Sequence, residues 1–452
     1  MKNFFETLSN IWKIEELRNR ILITLGLLLV YRFGCQITIP GIDTTQLGQL
    51  ASSTDQGIFG LLNAFTGGAF AKASIFALGI MPYISASIVV QLMGIAIPYL
   101  QKLQKEGESG RKTINQITRW LTIGICIVQA PAYLYGLGAF GVQDSAFVLG
   151  KGLNFMVPAV IILVTGCVFA MWLGEKITDK GIGNGISLLI MIGIIATLPQ
   201  SFVQEFVSRT TNNNGGLMFI LVEVIVWFLV ILASILLVMA TRQIPVQYAR
   251  RTASGGYEKN VAGSRQYIPL KLNASGVMPI IFAQAIMFVP GLIGSAEFLK
   301  DSSFGQWLQL NFGGGGAMFS LPYNLLFAFL IIVFTYFYTA ITVPTNKMAD
   351  DLKRSGGFIP GTRPGKETAD FLDKIMSLIT LPGSIFLALL AVLPAIVVKL
   401  MDVQAGWAMF YGGTSLLIMV GVAIDTVQQV NSYLLNRHYD GLMKSGKNRK
   451  VA

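Results

Sequence analysis

The sequence predicts an all-α polytopic membrane protein with ten transmembrane helices. Two observations carry this prediction: 53% of the 452 residues are hydrophobic while only 13% are charged, and the apolar residues cluster in long runs. A typical soluble domain has about 25% charged residues, and a chain of this length needs them to cover its water-facing surface. The composition therefore excludes both a soluble globular fold and an intrinsically disordered chain.

The predicted spans are runs of about 20 mostly apolar residues, the helix length that crosses the hydrocarbon core. They lie at about 21–38, 75–97, 118–138, 154–174, 183–199, 217–240, 274–294, 322–343, 377–398 and 409–427. Ahead of the first span, the apolar side chains of residues 1–20 recur at helical spacing among charges of both signs. This segment is predicted to be an amphipathic helix on the cytoplasmic membrane surface.

The positive charges give the orientation. If the N-terminus is cytoplasmic, 28 of the 34 Lys and Arg residues fall in cytoplasmic segments, and five fall in the outside loops. Both termini, including a tail at 428–452, are therefore expected in the cytoplasm. Two cytoplasmic loops, at about 241–273 and 344–376, are longer than connectors and carry six positive residues each. Their length and charge indicate docking surfaces.

A short internal repeat suggests that the chain has two halves. Residues 79–86 and 276–283 share the pattern G-[IV]-M-P-x-I-x-A, at the starts of the second and seventh spans. If these helices are equivalent, residues 21–200 and 201–427 form two pseudo-symmetric halves of five spans each. An odd number of spans inserts the second half upside down, which is the inverted-repeat plan of transporters with a pathway between the halves.

Few residues in this chain suit catalysis, metal binding or cofactor binding. The single histidine, His438, lies in the polar tail, so a histidine-based metal site or nucleophilic set is not expected. Cys35, Cys126 and Cys167 lie in apolar runs and are predicted to be buried rather than paired. The glycine segment 181–185 superficially resembles a phosphate loop, but a tight helix start is the favoured interpretation. We therefore expect no enzyme activity and no cofactor.

Charged residues inside the spans bear on ion-coupled transport, which generally needs ionisable groups near the midplane. Arg32, Glu223 and Asp425 are the candidates, and no cluster of carboxylates is visible. This argues against a secondary transporter for a small solute, which is the alternative function for an inverted-repeat protein. A scaffold that only binds ribosomes to membranes is a third, simpler alternative.

Five motifs resemble the SecY family, the channel-forming subunits of bacterial protein translocases. They are ASIFALGIMPYISASI at 73–88, KEGESGR at 105–111, GIGNGIS at 181–187, GTRPG at 361–365 and GGTSLLI at 412–418. The resemblance implies a protein-conducting channel in the bacterial cytoplasmic (inner) membrane, with a central pore between the two halves. It also implies several partners: the small subunits SecE and SecG, the SecA motor, the ribosome, translocating polypeptides with their signal sequences, and anionic lipid.

The same resemblance implies the site residues. A ring of apolar side chains would seal the pore, formed by Ile80, Ile84, Ile186, Ile190, Ile281 and Ile418. A plug at about 57–74, expected as a short helix, would fill the outer funnel. The second and seventh spans would border a lateral gate toward lipid, held by polar Ser87, Gln129 and Asn273. Motor and ribosome docking would use Arg242, Arg250, Arg251, Lys353, Arg354 and Arg363.

Overall fold

The computed structural model describes residues 12, 14–43, 63, 65–139, 147, 150, 152–211, 216–248, 265–295, 302–313 and 319–448. The chain separates into two compact units. Unit 1 comprises Met1–Gln204 with Val422–Ala452, and unit 2 comprises Glu205–Gly421. Of the predicted N-terminal amphipathic helix at 1–20, residues 1–11 and 13 lie outside the described residues, and residues 15–20 belong to the same helix as the first span, Glu15–Gly34. The docking candidates Arg250 and Arg251 also lie outside the described residues.

Most of the described chain is helical. In lipid the backbone N–H and C=O groups of an apolar segment have no water to bond, and a helix satisfies them within the segment. Fourteen α-helices occur in the described residues: α1 Glu15–Gly34, α2 Met81–Ala96, α3 Pro98–Lys105, α4 Glu108–Ala139, α5 Leu153–Lys180, α6 Gly185–Thr211, α7 Gly216–Met239, α8 Met278–Ser295, α9 Ser303–Leu308, α10 Leu321–Thr342, α11 Thr345–Arg354, α12 Lys366–Met401, α13 Ala405–Ala408 and α14 Gly413–Asn448. A π-helical turn, Gln309–Gly313, follows α9.

Each of the ten predicted spans overlaps one of these helices. By length and apolarity, seven helices of the described chain qualify as membrane spans, or eight when the bent pair α2 and α3 counts as one. The protein is therefore a helical multi-pass membrane protein, while the count of ten spans stays a prediction. Several helices run past the predicted limits, notably α6, which continues to Thr211, and α14, which continues into the predicted tail.

The two long basic loops contribute a three-stranded sheet that the sequence analysis did not predict. Strand β1 is Thr241–Tyr248, β2 is Arg265–Lys271 and β3 is Gly357–Phe358, in the order β2-β1-β3. Both pairings are antiparallel, with Ile244 opposite Ile268 and Gln247 opposite Phe358. Strand β3 comes from the second loop, so the two loops form one structure.

Unit 1 has an apolar core where the turns before α2 meet α4 and α5. Leu137 and Leu163 are fully buried there, and Phe70 packs edge-to-face on Tyr133. The three cysteines are buried and free, as predicted. This core fixes the backbone that leads into α2, the helix on which the first pore candidates lie.

Candidate functional site

The repeated motif has the same local geometry in both places. Six turn residues precede α2 and six precede α8, and each helix begins at the Met of the motif with Pro next. The motif glycine has a left-handed backbone in both copies, with φ of 54° at Gly79 and 63° at Gly276. A residue with a Cβ is strained in that conformation. The chain therefore starts two helices with one device, and the eight-residue match reflects structure.

Four of the six ring candidates belong to unit 1. Ile80 is 4% exposed and directly precedes α2, whereas Ile84 lies one turn into that helix and is half-buried. Ile186 and Ile190 are also half-buried, one turn apart on α6. Gly174 of α5 leaves room for Ile186, since a Cβ added at Gly174 would lie 2.9 Å from its Cγ1.

The other two ring candidates belong to unit 2. Ile281 is half-buried on α8, at the motif position that Ile84 has on α2. Ile418 is 5% exposed on α14. All six side chains are thus aliphatic, β-branched and withdrawn from full exposure, and the assembly of these side chains into one ring stays a prediction.

The glycine segment 181–187 is a tight helix connection, as the favoured interpretation held. Gly183 has φ of 80°, and the Asn184 side chain caps α6 by accepting hydrogen bonds from the amides of Ile186 and Ser187. The Ile182 amide donates to Thr24 Oγ1 at 3.0 Å. Since these amides are satisfied within the protein, they are not presented to a phosphate group.

The proposed plug segment is described at residue 63 and from 65 to 74. Residues 66–74 are almost entirely turns rather than the expected short helix. Two side chains donate hydrogen bonds to backbone carbonyl groups of this segment. Arg32 Nη1 donates to Gly67 O at 2.6 Å, and the Tyr133 hydroxyl donates to Phe70 O at 2.8 Å. Arg32 is thus tied to this segment, and the rest of the proposed plug lies outside the described residues.

The lateral-gate candidates have only local hydrogen bonds in the described structure. Ser87 Oγ accepts from Gln91 Nε2 at 3.4 Å within α2, and Asn273 Oδ1 accepts from Ser275 Oγ at 3.2 Å. Gln129 is exposed on α4. The polar gate cluster accordingly stays a prediction.

The two basic loops form a folded platform, which we define as β1, β2, β3 and α11. Ile244 and Val246 alternate along β1 and are buried against Leu270 of β2 and Leu352 of α11. Successive strand side chains point to opposite faces, so this alternation gives the sheet one apolar face. The platform packs on the start of α12 through Leu372, which is 1% exposed.

The platform carries the described docking candidates on its surface. Arg242 is exposed on β1, while Lys353 and Arg354 are exposed in the last turn of α11. Arg363 is exposed in the turn after β3, with Glu367 at 3.9 Å and its side chain 87% accessible. Such weakly paired cations remain available to an acidic partner.

Unit 2 contains a buried ion cluster that was not predicted, because Arg209 is one of the five positive residues that the predicted spans place in the outside loops. Because α6 continues to Thr211, Arg209 is helical and only 5% exposed. It donates to Glu205 Oε1 and Glu223 Oε1, both at 2.8 Å. The i, i+4 spacing of Glu205 and Arg209 was the available signal, but nothing in the sequence pointed to Glu223 as their partner.

This ion cluster brings together two carboxylates, although no cluster of carboxylates is visible in the sequence. Arg209 also donates to the carbonyl groups of Met401 and Asp402, and Glu205 Oε2 accepts from the Gln404 amide at 2.9 Å. The cluster therefore ties α6 and the start of α7 to the chain that follows α12. Its polar groups are satisfied by one another, as a structural role requires.

Comparisons with known proteins agree over nearly the whole length. The family model described as SecY matches residues 74–427. The protein translocase subunits SecY of Streptomyces coelicolor and Bacillus licheniformis are each 38% identical to this chain. The first match covers 96% of this chain and 98% of that protein, and the second covers 97% and 100%.

Solved structures share the fold. A structure of a protein-conducting channel superposes with a TM-score of 0.59 at 17% identity, covering 92% of each chain. The Sec61 channel from a canine ribosome–channel complex superposes with a TM-score of 0.54, at the same identity and coverage. At this identity the likeness concerns the fold alone.

Proposed function

This chain belongs to the SecY family, and on that premise we propose that it passes unfolded polypeptides through a central pore and releases membrane segments sideways into lipid. It is a protein translocase subunit and not an enzyme. The observation that carries the proposal is the 38% identity to translocase subunits across essentially their full length. The proposed location is the bacterial inner membrane, with both termini in the cytoplasm as the positive charges indicate.

The proposed seal is a ring of the six isoleucines. A narrow apolar constriction excludes water and therefore blocks ions. Aliphatic side chains also offer a passing polypeptide no hydrogen-bond partner, so any sequence can slide through. The matched geometry before α2 and α8 supports this assignment, because it gives Ile84 and Ile281 the same register in the two halves.

The proposed plug lies at 57–74 and would fill the outer funnel of the idle channel. A related solved structure, 19% identical, concerns a SecY plug domain that stabilises the closed state. Two charged or polar contacts to backbone carbonyl groups, from Arg32 and Tyr133, support a segment with a defined closed position. The gate proposal adds that Ser87, Gln129 and Asn273 hold α2 and α8 closed until a signal sequence enters.

The platform is the proposed docking surface for the SecA motor or the ribosome. A related structure is the Ssh1 complex bound to the yeast ribosome. Basic side chains would contact ribosomal RNA through phosphate attraction, so that binding is expected to weaken with salt. SecE and SecG are the proposed small membrane partners. Anionic lipid is a further proposed partner, because the chain has a net charge of +11 and basic segments attract anionic headgroups.

Reconstitution tests the function directly. Vesicles that contain the chain with its small subunits, supplied with SecA and ATP, are expected to take up a secretory precursor in a protease-protected form. Vesicles without ATP are the control. No uptake with a motor of verified ATPase activity would contradict the proposal.

Crosslinking tests the ring independently of the motor. Photoreactive probes at the six ring positions are expected to label a stalled translocating chain. A probe at Leu325, an exposed apolar position on α10, serves as the matched control and should not label. In the idle channel, replacing Ile84 and Ile281 with Gly should raise ion conductance. Equal labelling at Leu325, or unchanged conductance, would remove these residues from the constriction.

The ion-coupled transporter alternative has one structural feature to consider, the two buried carboxylates at Arg209. Both are hydrogen-bonded to the same guanidinium, and they lie near the end of α6 and the first two turns of α7. A coupling site needs groups that can release and rebind an ion, whereas these are fixed to structural partners. Solute uptake by vesicles without any precursor protein would favour the alternative.

A further inference from the structure

A groove of about 670 Å³ lies between α4 and α5, away from every residue assigned to transport above. Both helices belong to unit 1 and both qualify as membrane spans. The groove is therefore a feature of the outer wall of two packed membrane helices. Its lining contains four charged side chains, two tryptophans and several aliphatic side chains.

Polar and apolar residues are separated along the groove. The charged side chains lie toward the side of the membrane that the positive charges assign to the cytoplasm: Arg119 about three turns into α4, and Glu175, Lys176 and Asp179 in the last two turns of α5. The aliphatic lining lies deeper in both helices: Ile123 is one turn further along α4, and Val168 and Met171 are one to two turns back along α5. The groove thus has a polar mouth toward the cytoplasm and an apolar interior toward the membrane centre. A phospholipid of the inner leaflet has the same orientation, with its headgroup toward the cytoplasm and its acyl chains toward the centre.

Two tryptophans flank the boundary between these zones. Trp120 is 74% exposed and Trp172 is 46% exposed. Tryptophan is enriched at the membrane–water interface, where its ring contacts the acyl region and its N–H contacts the headgroups. The two tryptophans therefore indicate that the polar mouth lies at the level of the lipid headgroups.

The charges in the mouth discriminate between headgroups. Arg119 and Glu175 neutralise one another through a two-pronged pair, with N–O distances of 2.9 and 2.6 Å. Lys176 lies over the Trp172 ring at 5.8 Å, and Asp179 is exposed three residues further along the same helix. Asp179 also acts electrostatically on Arg119. No hydrogen bond or salt bridge joins Lys176 or Asp179 to another residue in the described part of the chain.

A cation and an anion three residues apart on one helix lie on the same face and complement a ligand that carries both charges. A phosphate group would pair with Lys176, and an ammonium group two carbons away would reach Asp179 and donate hydrogen bonds to it. A choline headgroup has the charge but no N–H to donate. A purely anionic headgroup would meet Asp179 with like charge.

We propose that this groove binds one phospholipid with a primary-amine headgroup, a phosphatidylethanolamine, with its phosphate on Lys176 and its ammonium on Asp179. The acyl chains follow Ile123 and Val168 between the two helices. The site would hold a single lipid in register with the wall of unit 1, in addition to the lipid that surrounds every membrane protein.

Native mass spectrometry tests the proposal on the full chain with its small subunits. The delipidated complex is titrated with dioleoyl phosphatidylethanolamine, phosphatidylcholine or phosphatidylglycerol. One phosphatidylethanolamine is expected to bind with a Kd about three- to fivefold lower than either competitor, the range of one exposed charge contact. Asp179→Asn should abolish the preference over phosphatidylcholine, and Lys176→Gln should weaken all three lipids.

Lys180→Gln is the matched control, because it removes the same charge from the same helix end but does not line the groove. Quenching by brominated phosphatidylethanolamine adds the location: Trp172→Phe should remove a quenched component. Equal affinity for all three lipids, tighter binding of phosphatidylglycerol, or a loss in Lys180→Gln equal to that in Lys176→Gln would overturn the proposal.

Discussion

Among the charged residues that the structure describes in unit 2, Arg209 is the one whose replacement should destabilise the unit most. Its guanidinium is 5% exposed, and Glu205 and Glu223 are 2% and 1% exposed. Arg209→Met keeps a side chain of similar length but removes the charge and every donor. Two buried carboxylates then lose their common partner, and the carbonyl groups of Met401 and Asp402 lose theirs.

The magnitude follows from what is left unpaired. Breaking a buried ion pair by removing one partner costs about 3–5 kcal/mol, because the remaining charge stays buried without compensation. Unfolding entropy is about 2.1 cal/mol/K per residue, which for 452 residues converts this cost into a fall in Tm of about 3–5 °C. The same cluster holds the end of α6, so that helix end should also become protease-sensitive.

Thermal aggregation of the detergent-solubilised complex, followed by size-exclusion chromatography, measures the change. Lys112→Met is the matched control, because its pair with Glu108 is 76% and 87% exposed and should contribute little. The triple variant with Glu205→Gln and Glu223→Gln removes the orphaned charges and should recover part of the loss. A Tm for Arg209→Met equal to that of the control would refute the reasoning that the cluster is buried and structural.

Two further substitutions test the packing of each unit. Gly166→Ala should destabilise unit 1 by about 1–3 kcal/mol, because the added Cβ would overlap the carbonyl oxygen of Ile75, whereas Gly124→Ala, with no heavy atom within 4 Å, should be neutral or slightly stabilising in the same melting assay. Val246→Asp, at a position that is 0% exposed, should unfold the platform and lower SecA or ribosome affinity at least about tenfold, since burying an unpaired carboxylate costs several kcal/mol. The exposed Gln243→Asp on the same strand controls for the added charge, and equal losses in both variants would show that charge and not folding is responsible.

Much of the helical architecture was predictable because lipid leaves little choice. An apolar run must satisfy its own backbone, so each predicted span overlaps a helix, although the helix limits differ. The internal repeat was also readable, since its glycine and proline impose a backbone geometry that the residues alone indicate. The family followed from motifs whose order and length exceed what chance would give.

The platform was not predictable from the same reasoning. The sequence predicted the two loops as basic docking surfaces but gave no strands, because β1 and β2 are separated by a long intervening segment and β3 has only two residues. Their apolar face becomes visible only when Ile244 and Val246 meet Leu352 and Leu372 from distant parts of the chain.

The sequence by itself determined that this is a membrane protein, where most of its helices lie along the chain and which family it belongs to, because hydropathy and local motifs act over a few residues. Only the tertiary structure decided that Glu205, Arg209 and Glu223 form one buried cluster and that two loops form one sheet. Those outcomes depend on which side chains desolvate each other across the fold. The i, i+4 spacing permits the pair of Glu205 and Arg209, but no spacing in the sequence indicates Glu223 or the pairing of the strands.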